Sequence, residues 1–291
     1  MSRIAYVNGR YVPHRDARVH VEDRGYQFAD GVYEVIAVSH GRLIDEAAHL
    51  ERMGRSLAEL AMGWPMSREP LRVVMREMIR RNRLTALGSI YMQVTRGVAP
   101  RNHAFPSGAR PVLVMTAKIL PAFDPHAANR GVRVITLADI RWKRPDIKSV
   151  SLLPNVLAKQ QAVEAGAYEA WLVDDEGMIT EGTASNAWIV TRDGELVTRA
   201  AGRSILSGIT RGAVLRLARE QGLRVVERPF SLEEARAATE AFLTSTTSWV
   251  KPVVQIDDVA IGAGAVGPLT SRLLALYIAH AEHAEGAGAE P

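Results

Sequence analysis

Two apolar periods alternate along the chain. Ile4–Val7 and Arg10–Val12 flank Asn8-Gly9, a pair favoured in two-residue turns because both positions take positive φ, so the chain is expected to open with a hairpin. Val32–Ser39 predicts a strand and His40-Gly41 a turn. From Ala47 the spacing becomes helical, with Leu50, Met53, Leu57 and Leu60 in phase. A second helix is expected from Ser67, its N-cap, with Leu71, Val74, Met75, Met78 and Ile79 on one face. Ile90–Thr95 alternates as a strand does, and Pro111–Ala117 reads as a more fully buried one.

The stretch "KILPAFDPHAANRG", with Pro121 and Pro125, interrupts the pattern. Beyond it the spacing predicts strands over Val132–Leu137, Glu169–Val173 and Asn186–Val190, and a helix over Asn155–Ala165 closed by Gly166. Turns are expected at Asp174–Gly177 and Asp193-Gly194. A helix from Thr210 should end at Gly222, and Ser231 with Glu234 forms a capping box. "AFLTST" and "VVQI" read as strands, and Leu269–Ala281 as the last helix. The mixture predicts an α+β protein of two domains: residues 1–118, a linker over 119–125, a larger domain over 126–282, and a disordered tail over 283–291.

Composition narrows the function classes. The 291 residues are 47% hydrophobic and 23% charged, as in a globular protein, and no apolar run is long enough to span a membrane. The first residues lack the apolar core of a signal peptide. With 0 cysteines, disulfides, thiolate metal sites and cysteine nucleophiles are excluded, and no metal is expected. The default location is cytoplasmic. The net charge of +4 invites comparison with nucleic-acid-binding proteins. However, the arginines are scattered among acids, and no basic block is interleaved with aromatics, so no nucleic-acid partner is expected.

Four stretches could carry chemistry. Lys148 lies in irregular chain near Arg141, Lys143 and Arg144. It is either a solvated charge or a nucleophile of the Schiff-base type, the neutral amine being favoured by burial and nearby cations. In "ITEGTASNAWIV", Glu181 follows a strand and precedes Gly182, Thr183, Ser185 and Asn186. This is either an ordinary polar turn or a carboxylate held inward. Ser207-Gly208 leads into Ile209-Thr210 at a helix start, and "TSTTS" (Thr244–Ser248) is a second hydroxyl-rich turn. Both suit simple capping or a phosphate cradle. In "VTRGVAPRNHAFP", Arg101 and His103 form either a solvated basic loop or a grip on a carboxylate. A phosphate cradle, an inward carboxylate, an activated lysine and a carboxylate grip together suit a pyridoxal phosphate enzyme acting on amino acids.

These motifs resemble, in order and over roughly residues 4–280, the fold-type IV aminotransferases and most closely their D-amino-acid members. "VEDRGYQFADGVYEV", "VTRGVAPRNHAFP", "DIRW", "DIKS", "LPNVLAKQ", "TEGTASN", "GITR" and "TSTTS" carry the likeness. The resemblance implies that Lys148 forms the Schiff base with pyridoxal 5'-phosphate and then moves the proton. It implies that Glu181 holds the pyridine nitrogen, that Leu206 packs on the ring, and that Arg141 lies near the ring's phenolic oxygen. Arg52, Ile209, Thr210 and Thr246 would take the phosphate. Tyr33, Arg101 and His103 would take the substrate carboxylate, the last two from the partner of a homodimer. Trp249 departs from the pattern after "TSTTS" and is either a core aromatic or a residue lining the pocket.

The activity so implied is a ping-pong transamination from a D-amino acid, such as D-alanine, to a 2-oxo acid such as 2-oxoglutarate. Alternatives of the same fold are an amine transaminase, a branched-chain aminotransferase or an aminodeoxychorismate lyase. The alternative outside catalysis is a basic nucleic-acid-binding protein.

Overall fold

In the computed structural model, which describes residues 3–124 and 130–283, the first turn forms as its residue types require. Asn8 and Gly9 take φ of 41° and 99°. β1 (Ile4–Val7) pairs antiparallel with β2 (Arg10–Pro13), Val7 opposite Arg10. A short helix that the pattern does not predict follows, α1 (Arg24–Phe28). Five residues are too few for a helical period to show. The cap fixes it instead: the Asp23 carboxylate accepts from Gly25 N–H at 2.8 Å.

β3 (Gly31–Ser39), β4 (Arg42–Leu43), α2 (Glu46–Glu59), α3 (Arg68–Asn82), β5 (Gly88–Thr95) and β6 (Val112–Ile119) complete this part. The strands form an antiparallel sheet in the order β2-β1-β6-β5-β3-β4. Leu50, Met53 and Leu57 of α2 and Leu71, Met75 and Met78 of α3 pack on Val32, Ile36, Ile90, Met92, Leu113 and Met115. Only one sheet face is covered in this way. β6 therefore alternates, with Leu113 and Met115 buried but Val114 and Thr116 half-buried, rather than being buried on both sides as its apolar run suggests. The opposite face carries Tyr33, Gln93 and Val114 in one row and Val35, Tyr91 and Thr116 in the next. Ser67 precedes α3 as expected but makes no side-chain capping bond.

The remaining strands form a mixed sheet: β7 (Val132–Ala138), β8 (Glu169–Val173), β9 (Ile179–Gly182), β10 (Asn186–Val190), β11 (Leu196–Thr198), β12 (Val225–Glu227), β13 (Glu240–Ser245), β14 (Trp249–Ile256) and β15 (Val259–Ala260). Their order is β12-β11-β10-β13-β14-β7-β8-β9, with β15 on β14. The helices are α4 (Leu153–Glu164), α5 (Ile209–Glu220), α6 (Leu232–Arg236) and α7 (Pro268–His283). α4 begins before the expected Asn155 because Pro154, with its fixed φ and missing N–H, suits the first turn. Gly166 and Gly222 close their helices with φ of 69° each. Ser231 caps α6 by accepting from Glu234 N–H at 3.0 Å, but the Glu234 carboxylate turns to Arg228, so only half of the capping box forms. Glu181, expected after a strand, lies within β9. Thr180 and Glu181 mask the strand's apolar signal.

The architecture is α+β. The described residues divide into two compact units. Unit 1 takes the chain up to Phe123, Ile147–Ser151 and the described residues from Glu282; unit 2 takes Asp124–Asp146 and Leu152–Ala281. The end of the proposed linker at Pro125, and all but the first residue of the expected disordered tail, lie outside the described residues. No helix among those described is long and apolar enough to cross a membrane.

Candidate active site

β3 pairs with β5 along one edge, while β4 occupies the other edge only at Val38 and Ser39. The backbone of Gly31–Tyr33 on that edge is left to other partners, and the segment around Lys148 takes it. Tyr33 N–H donates to Lys148 C=O at 3.0 Å, and Val150 N–H to Gly31 C=O at 3.0 Å. Lys148 N–H donates to Ser56 Oγ of α2 at 3.2 Å. The irregular "DIKSV" is thus held on unit 1 by main-chain bonds. Lys148 Nζ lies 4.3 Å from the centre of the Tyr33 ring, and no carboxylate or hydrogen-bond acceptor meets it among the described residues. Tyr33 stacks on Tyr91, with ring centres 5.6 Å apart. The Tyr91 hydroxyl donates to Gln93 Oε1 at 2.6 Å. Burial, with the Tyr33 phenol beside it, pushes Tyr91 up to about 12.

On the core face of the same strand lies a charged cluster. Arg52 of α2 donates through Nε and Nη2 to the two oxygens of Glu34, at 2.7 and 2.8 Å. His49 Nδ1 is 2.8 Å from Glu34 Oε2. Burial raises Glu34, but the charge and hydrogen bonds of Arg52 and the bond to His49 outweigh it and hold the carboxyl at about 2. His49 is lowered by burial, which the Glu34 carboxylate only partly offsets. The cluster is therefore an ionised Glu34, a cationic Arg52 and a neutral His49. It fixes the orientation of Arg52, the arginine expected to take the phosphate.

Arg101 and His103 follow β5 on an exposed loop. Neither meets Tyr33, whose ring contacts are with Tyr91 and Lys148. Arg101 has no acid partner or hydrogen bond among the described residues.

Unit 2 brings Glu181, Arg141 and Leu206 together. The Arg141 guanidinium donates to Glu181 Oε1, and to both oxygens of Asp139 at 2.9 and 2.7 Å. Glu181 Oε2 also accepts from Asn186 Nδ2 at 3.0 Å and from Leu206 N–H at 3.1 Å. Burial pushes Glu181 up to about 7 against the opposing pull of Arg141, whereas hydrogen bonds to Arg141 overcome burial at Asp139 and lower it. One guanidinium serves two carboxylates, so the cluster lacks one positive charge when both ionise. A protonated ring nitrogen placed beside Glu181 would supply that charge, and an acceptor carboxylate fits such a group.

α5 opens at Ile209 and Thr210 with Gly208 as N-cap, which has no side chain to satisfy the first N–H groups. A Cβ on Gly208 would stand 2.0 Å from Asn186 Oδ1, so this close approach requires glycine. Thr246, half-buried, lies in the turn between β13 and β14. These N–H and hydroxyl groups have the chemistry of an anion site. Trp249, just beyond, is buried with its ring centre 6.1 Å from that of Tyr277, which supports the core reading of this residue.

Glu34, His49 and Asp139 are not among the candidate residues that the pattern and motifs single out. Glu34 had a detectable signal: it interrupts an apolar strand in phase with Val32 and Ile36, so an acid falls on the core face. His49 and Arg52 likewise sit in phase with Leu50 and Met53 on α2.

The family model for class IV amino-transferases matches residues 31–256. A D-alanine aminotransferase of Bacillus licheniformis is 43% identical over 267 residues, covering 91% of this chain and 93% of its own. One of Staphylococcus haemolyticus is 40% identical, covering 92% and 94%. A branched-chain amino acid aminotransferase of T.th., solved with pyridoxamine 5'-phosphate, superposes with a TM-score of 0.91 at 27% identity, covering 98% of this chain and 96% of that one.

Proposed function

The chain belongs to the class IV aminotransferase family, and from that premise we propose that it transfers the amino group of a D-amino acid, D-alanine being the first candidate, to a 2-oxo acid such as 2-oxoglutarate. Pyridoxal 5'-phosphate is its cofactor; when bound, it supplies an electron sink for the pair left at the substrate Cα. The observation that carries the reading is the Lys148 amine, held by its backbone and free of any acid partner among the described residues. Lys148 serves as the covalent anchor and then holds and returns the proton at Cα. Glu181 accepts the pyridine N–H, and Arg141 orients Glu181 while sharing its charge with Asp139. Leu206 packs on the ring. Arg52, Ile209, Thr210 and Thr246 bind the phosphate.

Tyr33, Arg101 and His103 bind the substrate carboxylate, Arg101 and His103 from a second copy. An unpaired, exposed guanidinium at Arg101 supports a substrate bearing a carboxylate over an amine without one. Exposed apolar side chains support the homodimer: Val21, Tyr26 and Phe105 in unit 1, and Leu153, Val156 and Leu157 in unit 2. The relatives at 40–43% identity are D-alanine aminotransferases, which favours D-substrates over the branched-chain alternative.

The test is a half-reaction. Holoenzyme is mixed with D-alanine and, separately, with L-alanine, and the visible band of the lysine-bound cofactor is followed. Bleaching by the D-enantiomer alone supports the proposal. Equal bleaching by L-alanine, or a wild-type protein that takes up no cofactor, refutes it.

A further inference from the structure

Arg101 and His103 are exposed, yet they are not loosely held. The Phe28 ring of α1 lies under both: the Arg101 guanidinium carbon is 4.6 Å from its centre, and the His103 ring centre is 5.3 Å away. The guanidinium of Arg24 lies 4.8 Å from the same ring. Arg24 is buried and is fixed by Asp30 Oδ2, which accepts from its Nε at 2.8 Å. It also donates to the loop's own backbone, to Asn102 C=O at 2.5 Å and His103 C=O at 3.4 Å. Further along the loop, Arg96 lies 3.7 Å from the centre of the Phe105 ring and is itself bonded to both oxygens of Asp30. Arg101 has no other partner among the described residues, so the Phe28 face is what sets its direction.

We propose that Phe28 is the positioning residue of the carboxylate grip: its ring, locked by Arg24, presents Arg101 and His103 in one fixed geometry before substrate arrives. The proposal rests on the reading of Arg101 and His103 as carboxylate binders. An aromatic face attracts a guanidinium through its quadrupole without taking up its N–H donors. All five donors of Arg101 thus stay available to a carboxylate, which an acid partner would have occupied. A preformed grip also spares binding the entropy of ordering a long side chain. Phe28 acts through Arg101 and His103, the side chains its ring meets.

The experiment compares Phe28→Leu and Phe28→Tyr holoenzymes with wild type in the D-alanine half-reaction under single-turnover conditions. Phe28→Leu is expected to raise the half-saturating D-alanine concentration about two- to five-fold, the size of a cation–π contact at an exposed site. The limiting rate should stay within about two-fold and the visible cofactor band should be unchanged. Phe28→Tyr keeps the ring and is expected to bind D-alanine as wild type does. Phe28→Met fills the same space without a quadrupole and carries the same expectation as Phe28→Leu, should that variant fail to fold. Unchanged half-saturation in the Leu or Met variant overturns the proposal, as does equal impairment of the Tyr variant or a fall confined to the limiting rate. Arg101→Ala is the control: if it too leaves D-alanine binding unchanged, the underlying reading of the grip has failed rather than the role of Phe28.

Discussion

Glu181 should make the cofactor-free protein lose stability as the pH rises through neutrality. Its carboxyl is buried and shifted from 4.5 up to about 7, burial outweighing Arg141. A group whose folded pKa lies above its unfolded value contributes stability that is fully present below the unfolded pKa and is lost as the pH rises through the folded one. The window is therefore about pH 4.5 to 7. Each pKa unit is worth about 1.4 kcal/mol, so ionising Glu181 inside the folded protein costs on the order of 3 kcal/mol. The main cause is burial; Arg141 opposes it, but it is shared with Asp139, whose charge raises Glu181 a little further. Glu181→Gln removes the ionisation but keeps an oxygen that accepts from Leu206 N–H and Arg141. The assay is urea unfolding at a series of pH values on cofactor-free wild type and the variant. Wild type should fall relative to Glu181→Gln by about 3 kcal/mol across the window, the variant supplying the baseline for every other titrating group. On the proposed role of Glu181, a pyridinium in the cofactor-loaded form would supply a compensating charge, so the wild-type slope should flatten. Parallel profiles for the two cofactor-free proteins would falsify the argument that burial raises Glu181 against Arg141.

Three other outcomes are expected. Lys148→Ala and Arg101→Ala, each of low activity alone, should complement when co-refolded: if Arg101 serves the partner's lysine, statistical hybrids restore one intact site each and about a quarter of full activity, whereas no recovery means that both act within one copy. Glu34→Ala leaves Arg52 buried without its acid, so unfolding free energy at pH 7 should drop by about 3–5 kcal/mol. Because Glu34 is held down at about 2, its contribution in wild type should persist above the ordinary carboxylate range and be lost only as the pH falls from about 4.5 toward 2; a wild-type loss already complete by pH 4 argues against the cluster. Trp249 sits at φ 57°, where a side chain with a Cβ is strained by roughly 1–2 kcal/mol. Trp249→Gly and Trp249→Ala should both destabilise by removing a buried ring, but the alanine protein should be the less stable by about 1 kcal/mol, and urea melts showing the reverse order would contradict the left-handed backbone.

The residue pattern was enough for features whose cause is local. The Asn8-Gly9 turn, the helical faces of α2 and α3, the glycine stops at Gly166 and Gly222, and the motif around Lys148 each depend on residues within a few positions of one another. Periodicity, turn chemistry and ordered motifs therefore reveal them, and together they indicated an α+β aminotransferase. Features that pair distant segments were not legible in that way. No spacing links Glu34 to His49 and Arg52, 15 and 18 residues on. None gives Glu181 an arginine 40 residues before it that also carries Asp139. Short elements were lost too, since α1 is specified by the Asp23 cap rather than by any period. The sequence marked Lys148 as a candidate, but only the tertiary structure decided that its backbone fills the open edge of β3 beside Tyr33 and leaves its amine without an acid partner among the described residues. The physical reason is that side-chain period reports which face an element buries, while the partner of a buried charge or an unpaired strand edge is set by whichever remote segment the folded chain brings to it.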